Sequence, residues 1–340
     1  MFEKFFGNRA AQETLGQMIA GGRIPQTLLL SGPEGVGKAT LARRFAARLM
    51  GEPEKIERDD LSLPANVAYI TEREKWPSDK RNEDPLHFAS HSDFVTFAPD
   101  GPLRQITIQQ MRLLKERAPF KPNKGSRRVF LIDRLDRANE QAANSLLKTL
   151  EEPPDHLIII ATAANPYDLL PTIRSRSVSI HLGPLSVEEM REFVRAQGLD
   201  EPERRVALAQ GSPGLAISID LDLYDKRRTA MLGVLEAGAK IQPFAAWTKQ
   251  AESAANRTEK LEPLLRTLYD LLEDVLVLQQ RGTGIRNIDI EPQLRAIAEK
   301  VDFAWIRRAV TKVDELSELV RRNIQKNIAL DAMVIALRAA

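Results

Sequence analysis

Leu28-Leu29-Leu30-Ser31-Gly32-Pro33-Glu34-Gly35-Val36-Gly37-Lys38-Ala39-Thr40 is an apolar run, a glycine-rich turn and the opening of a helix that continues through Leu41, Phe45 and Leu49. A strand that delivers such a turn into a helix start is a phosphate cradle. Gly32, Gly35 and Gly37 let backbone N–H groups converge on phosphate oxygens, the helix adds its positive dipole end, and Lys38 adds a point charge. These residues, with Thr40, form the candidate nucleotide site. One position departs from the full motif: the residue after the lysine normally carries a hydroxyl for magnesium, and here it is Ala39. Thr40 is no simple replacement, because successive helix residues point about 100° apart.

Outward from this turn, Arg127-Arg128-Val129-Phe130-Leu131-Ile132-Asp133 is a second apolar strand ending in a carboxylate. In nucleotide-binding parallel sheets an aspartate there lies beside the phosphate loop and can hold magnesium; an isolated strand-end aspartate is commonly a cap, and the preceding apolar strand makes that the lesser reading. ATPases of this type commonly follow it with a glutamate that orients the attacking water. This chain has Arg134, a cation that accepts no proton. A helix over 142–152 stopped by Pro153-Pro154, then a strand from Leu157 to Thr162, repeats the alternation of strand and helix. The expected fold is an α/β P-loop core with a parallel sheet. Phe94–Phe97 alternates as a further strand, and 106–114 reads as a helix. Residues 1–27 hold an amphipathic segment ended by Gly21-Gly22. Residues 51–85 are charged and aperiodic, an insertion or long loop. His87 and His91 have the spacing of a metal pair but no cysteine or other ligand cluster nearby, which favours a hydrogen-bonding role.

Pro171-Thr172-Ile173-Arg174-Ser175-Arg176-Ser177 closes the core. A guanidinium here can stabilise phosphate charge in a neighbouring subunit; from spacing alone a surface arginine pair is an equal alternative. Beyond residue 183 the strands stop. Ser186 and Glu189 form a capping-box pattern, a second helix lies near 202–210, and Gly211-Ser212-Pro213-Gly214 punctuates before a third. The remainder is helical, with apolar stripes at 264–276 and 306–320 and a final helix from Ile324 to Leu337 that is apolar around much of its circumference.

Composition sets outer limits. A chain of 340 residues fits two or three domains of about 100–200 residues each. No apolar run approaches the roughly 18 residues of a membrane span. Met1-Phe2-Glu3-Lys4 is no signal peptide and cysteine is absent, so a cytoplasmic location is the default expectation. Lys and Arg number 49 against 47 for Asp and Glu, so any nucleic-acid contact must be local.

The order and spacing of four blocks resemble the AAA+ clamp-loader subunits of bacterial DNA polymerase III: Gly32 to Lys38, Val129 to Asp133, Ala143 to Pro154 and Pro171 to Ser177. Leu146-Leu147-Lys148-Thr149-Leu150-Glu151-Glu152-Pro153-Pro154 is the most specific of them. The resemblance implies an AAA+ core over 1–182, a small helical lid domain over 183–222 and an all-α C-terminal collar domain over 223–340. It implies partners as well: gamma/tau and delta subunits, the beta sliding clamp, and primed DNA reached through the complex. By motif position Arg176 is a trans arginine finger offered to a gamma site, although the family's Ser-Arg-Cys stands here as Ser175-Arg176-Ser177. The four-cysteine zinc module of many members has no counterpart, so zinc is not expected. Gly214 stands where active gamma-type members carry a lid arginine. With Ala39 and Arg134, this points to a subunit whose own ATPase is weak or absent and whose intact glycines and Lys38 permit ATP and magnesium without requiring them. Two readings compete with it: a catalytically active AAA+ ATPase, gamma-like or a DNA-repair motor, and, more remotely, a small-molecule kinase using the same loop.

Overall fold

The computed structural model describes residues 2, 4–244, 247, 261–320 and 325–339. It divides into two compact units, residues 1–193 with 211–214, and residues 194–210 with 215–340.

The first unit is built on a six-stranded sheet, β1 (Thr27–Ser31), β2 (His87–His91), β3 (Phe94–Phe97), β4 (Arg128–Ile132), β5 (Leu157–Ala163) and β6 (Val178–His181), in the order β2-β3-β4-β5-β1-β6. All neighbours are parallel except the edge pair β2–β3. Three apolar runs of the first unit, in β1, β4 and β5, form the central strands, and each residue of these strands is buried. They are apolar without alternation because both faces are covered. Leu28, Leu30, Val129, Leu131, Ile158 and Ile160 face helices α1 (Arg9–Ala20) and α2 (Lys38–Met50). Leu29, Phe130, Ile132 and Ile159 face α6 (Ile108–Arg117) and α7 (Glu140–Glu151). The amphipathic segment expected over 1–27 is α1, with Leu15 in the core and Gly21 at its end.

The expectation of a long loop over 51–85 is corrected. This stretch contains helices α3 (Pro53–Glu57), α4 (Pro64–Arg73) and α5 (Ser78–Glu83). Their apolar contribution is small, centred on Ile56 and Ile70, which is why no period was visible. Buried cations organise them instead. Arg43 reaches from α2 to Glu57 and Asp60. Arg73 has a fully buried guanidinium that donates twice to Asp100, at 3.1 and 2.8 Å, and also to the side chain and carbonyl of Asp84. The edge strands were equally hard to read. In β6 only Ile180 is buried, and β2 alternates weakly.

Helix α8 (Pro171–Arg174) leads into β6, and α9 (Val187–Ala196) opens with the reciprocal Ser186–Glu189 capping box. In the second unit, α10 (Pro202–Ala209) and the part of α11 (Pro213–Ser218) from Leu215 onward precede a bundle of α12 (Leu221–Gly238), α13 (Leu261–Gln279), α14 (Glu291–Lys300), α15 (Phe303–Val320) and α16 (Lys326–Arg338). Helix α13 packs against α12, α14 and α15, burying Leu264, Leu268, Leu271, Leu272 and Val275. Ile324, the expected start of the final helix, lies outside the described residues; Leu330, Met333, Val334 and Leu337 are buried while Ile328 and Ile335 are exposed. No helix among the described residues is long and apolar enough to cross a membrane.

Candidate functional site

The phosphate loop lies between the C-terminal end of β1 and α2. Gly32, Gly35 and Gly37 have φ of 141°, 79° and 97°, conformations that L side chains rarely adopt. Gly32 carries a second constraint, since a Cβ there would lie 1.9 Å from the Leu182 carbonyl oxygen. Lys38 Nζ donates to the carbonyls of Gly32 and Pro33 at 2.6 and 2.7 Å. Burial lowers its pKa, opposed by the charges of Asp133, Asp136 and Glu34. Thr40 is a partly exposed residue in the first turn of α2.

Asp133 follows β4 at the same edge of the sheet, and its N–H bonds the Phe97 carbonyl at 2.9 Å. Its carboxylate accepts the Thr162 hydroxyl at 2.6 Å, and that hydroxyl accepts the Arg134 N–H at 2.8 Å. Burial raises the Asp133 pKa, and the Thr162 bond works in the opposite direction. Arg134, held in the left-handed region at φ 58°, turns its guanidinium to Glu34 of the phosphate loop, 2.8 Å away. The loop is tied from a further side. The Gly214 N–H donates to the Gly35 carbonyl at 2.9 Å and the Ser212 hydroxyl to the Glu34 carbonyl at 3.1 Å. Gly214 sits so close that a Cβ would come within 3.0 Å of Gly35 Cα.

The residues present fit a phosphate better than a metal-assisted reaction. The glycines and Lys38 retain the cradle. A magnesium shell lacks its hydroxyl at Ala39, although Asp133, bonded to Thr162 through one oxygen only, keeps the other. Where a water-orienting carboxylate belongs, the Arg134 guanidinium is paired with Glu34.

Arg176 is on the other side of this architecture. It lies two residues before β6, whose first residue pairs with Leu28, so it sits at the N-terminal edge of the parallel strands. There its guanidinium donates to Glu151 at 2.8 Å and to the Thr172 carbonyl at 2.9 Å. Glu151 belongs to the Leu-Leu-Lys-Thr-Leu-Glu-Glu-Pro-Pro block, and Gln26 reaches the carbonyls of Pro153 and Pro154. The five residues of β1 separate Arg176 from the phosphate loop by about 15 Å along the strand direction. Thus the sheet brings Lys38, Asp133 and the glycines together and holds Arg176 apart from them. Arg174 stacks over Tyr167 instead. The histidine pair has local partners: His91 Nδ1 accepts the Asp93 N–H, and His87 Nδ1 lies 2.9 Å from the Pro85 carbonyl. Among the described residues no group of three or more His, Asp or Glu side chains is arranged to hold a metal.

Four residues of the site escaped sequence reasoning as partners: Glu34, Thr162, Glu151 and Ser212. The one available signal was Thr162, a hydroxyl ending an apolar strand beside the strand that ends in Asp133.

A phosphate loop on a parallel α/β sheet, followed along the chain by a helical region, defines a P-loop protein of the AAA+ class. A family model described as DNA polymerase III, delta subunit matches residues 7–186, and the chain belongs to that family of clamp-loader subunits. It is 25% identical over 326 residues to DNA polymerase III subunit tau of Escherichia coli, covering 88% of this chain and 48% of the relative. It is 30% identical over 207 residues to subunit delta' of Pseudomonas aeruginosa, covering 59% and 58%, and 28% identical over 239 residues to delta' of Escherichia coli, covering 68% and 69%. The chain therefore spans about half the length of the tau relative.

Proposed function

We propose that this chain is a delta'-type clamp-loader subunit of the replicative DNA polymerase III assembly, which does not hydrolyse ATP itself and supplies Arg176 to the phosphate site of a neighbouring gamma/tau subunit. One observation carries the reading: Arg176 and the phosphate loop occupy opposite edges of one parallel sheet. An arginine so placed cannot serve its own loop, whereas in a ring of like-oriented subunits it faces the loop of the next. Glu151 and the Thr172 carbonyl hold it at the surface in a defined pose. The chain's own loop, by contrast, has its charges turned inward, Glu34 to Arg134 and Asp133 to Thr162.

On this reading residues 1–182 are the nucleotide-binding-like core, 183–222 the lid and 223–340 the collar that joins the ring in the cytoplasm. The partners are gamma/tau and delta subunits, the beta sliding clamp and primed DNA. ATP with magnesium remains a permissible ligand of the loop, without turnover.

The test is reconstitution with gamma and delta subunits and measurement of DNA-stimulated ATP turnover. Arg176→Ala is expected to leave assembly intact and slow turnover at the adjoining site by a factor on the order of 10³, the scale of an arginine finger. The isolated chain is expected to be silent. ATP turnover by the isolated chain that Lys38→Ala abolishes would instead identify it as a motor, gamma-like or of a DNA-repair type.

A further inference from the structure

The C-terminal helical unit contains a cleft of about 340 Å³ where the ends of α12, α14 and α16 meet the start of α15. Its lining is unusual in charge. Lys240, Lys300 and Arg308 line it, against one carboxylate, Asp302. That carboxylate is already engaged, accepting the Trp305 N–H at 2.7 Å as the cap of α15. None of the three cations has an ion-pair partner among the described residues. The floor is apolar and fixed. Trp305 is buried with its indole N–H on the Leu337 carbonyl at 3.1 Å, and Gly238 allows the end of α12 to close against Trp305 and Leu337.

Helix electrostatics account for only part of this. Lys300 ends α14 and Lys240 follows α12 by two residues, where cations complement a helix C-terminus. Arg308 is different. It lies in the second turn of α15, beyond the reach of the helix dipole, and from Phe303 to Val313 that helix carries Arg307, Arg308 and Lys312 with no acidic residue. Three cations lining one cleft, none with an ion-pair partner among the described residues and one with no helix terminus to complement, call for an anion from outside the chain.

We propose that this cleft binds the phosphate of a single nucleotide unit, gripped by Lys240, Lys300 and Arg308 above the Trp305 floor. Its volume lies at the lower end of the range of about 300–1,000 Å³ for small-molecule sites, which suits one nucleotide and excludes a duplex. Arg308 offers a planar fork to two phosphate oxygens, and the lysines add point charges on flexible stems. The same chemistry is presented by a free nucleotide and by one unit of a single strand.

The experiment uses the full chain carrying Lys38→Ala, so that the phosphate loop does not contribute, and follows the indole N–H resonances by NMR. Adenosine monophosphate forms one arm and a ten-residue oligothymidylate the other. The expected result is a saturable shift of the Trp305 indole in at least one arm, with Trp76 as the internal reference. A shift with the monophosphate assigns a free nucleotide, and a shift with the oligonucleotide alone assigns a strand. Arg308→Gln and Lys300→Gln are each expected to weaken binding about tenfold or more, the scale of a charged hydrogen bond. The proposal is overturned if neither ligand moves the Trp305 resonance at millimolar concentration, or if the shift and affinity survive in the Arg308→Gln/Lys300→Gln variant.

Discussion

Truncating Arg73 to alanine tests whether a buried cation, in place of an apolar stripe, holds helices α3 to α5 on the first unit. The Arg73 side chain is 0% exposed and that of Asp100 2%. Removing the guanidinium deletes two bonds to Asp100, two to Asp84 and one to the Tyr69 hydroxyl at 3.3 Å. It also removes the contact over Trp76, 4.7 Å from the ring centre. The Asp100 carboxylate keeps the Gly101 N–H at 2.8 Å and stays buried without a countercharge. Breaking one side of such a pair costs about 3–5 kcal/mol. The Asp84 side of the cluster adds little, because that carboxylate is largely exposed. With an m-value of about 2 kcal/mol/M in urea, the midpoint should fall by about 1.5–2.5 M. Trp76 is the reporter, with Trp247 and Trp305 changed to phenylalanine so that only the first unit is seen. Arg73→Ala/Asp100→Ala should be less destabilised than the sum of its single changes by about 2 kcal/mol or more, since the second truncation removes the stranded charge. A midpoint shift below about 0.5 M, or simple additivity, would refute the reasoning.

Gly32→Ala places a Cβ 1.9 Å from the Leu182 carbonyl oxygen at a φ of 141°, and is expected to lower stability by about 3 kcal/mol or more by displacing β6. A thermal melt unchanged within two degrees would count against that packing. Asp270 in α13 is pushed up to about 6 by burial, although it is bonded to Arg286. The folded state therefore retains a proton that the unfolded chain releases near pH 4, so this group's contribution to stability falls as pH rises from about 4 to about 6 and is level above. A carboxyl NMR titration should place its midpoint near 6, and Asp270→Asn should remove that slope from the stability profile; a midpoint near 4 would exclude the effect.

How much of the molecule was legible depended on what holds each part. The central strands announce themselves because a sheet covered on both faces demands unbroken apolar runs, which Leu28–Leu30, Val129–Ile132 and Leu157–Ile160 supply. Helices α3 to α5 did not, because Arg43 and Arg73 organise them through carboxylates whose sequence positions follow no period. Strand β6 stayed hidden because it offers the core one side chain, Ile180. At the site, Ala39 and Arg134 were visible as departures from a motif. Their compensations were not: Glu34 lies 100 residues from Arg134, and Thr162 lies 29 from Asp133. Contacts across strands depend on register, which only the folded sheet reveals. The same holds for Arg176, whose sequence motif gave its identity while only the strand directions place it at the edge away from Lys38.

The knot of contacts around the phosphate loop also bears on what would restore turnover. On the reading proposed above, turnover would need a hydroxyl at Ala39 and a carboxylate at Arg134. A lone Arg134→Glu exchange would set a second carboxylate beside Glu34 while the metal shell stayed incomplete. A lone Ala39→Thr exchange would complete a ligand position while the Arg134 guanidinium, paired with Glu34, still stood where a water-orienting carboxylate belongs. On that reading neither exchange alone completes the site, so turnover would return only with both changes together. The surface at Arg176, about 15 Å along the strands from the loop, can vary independently of these loop contacts, so under the same reading changes at either end need not disturb the other.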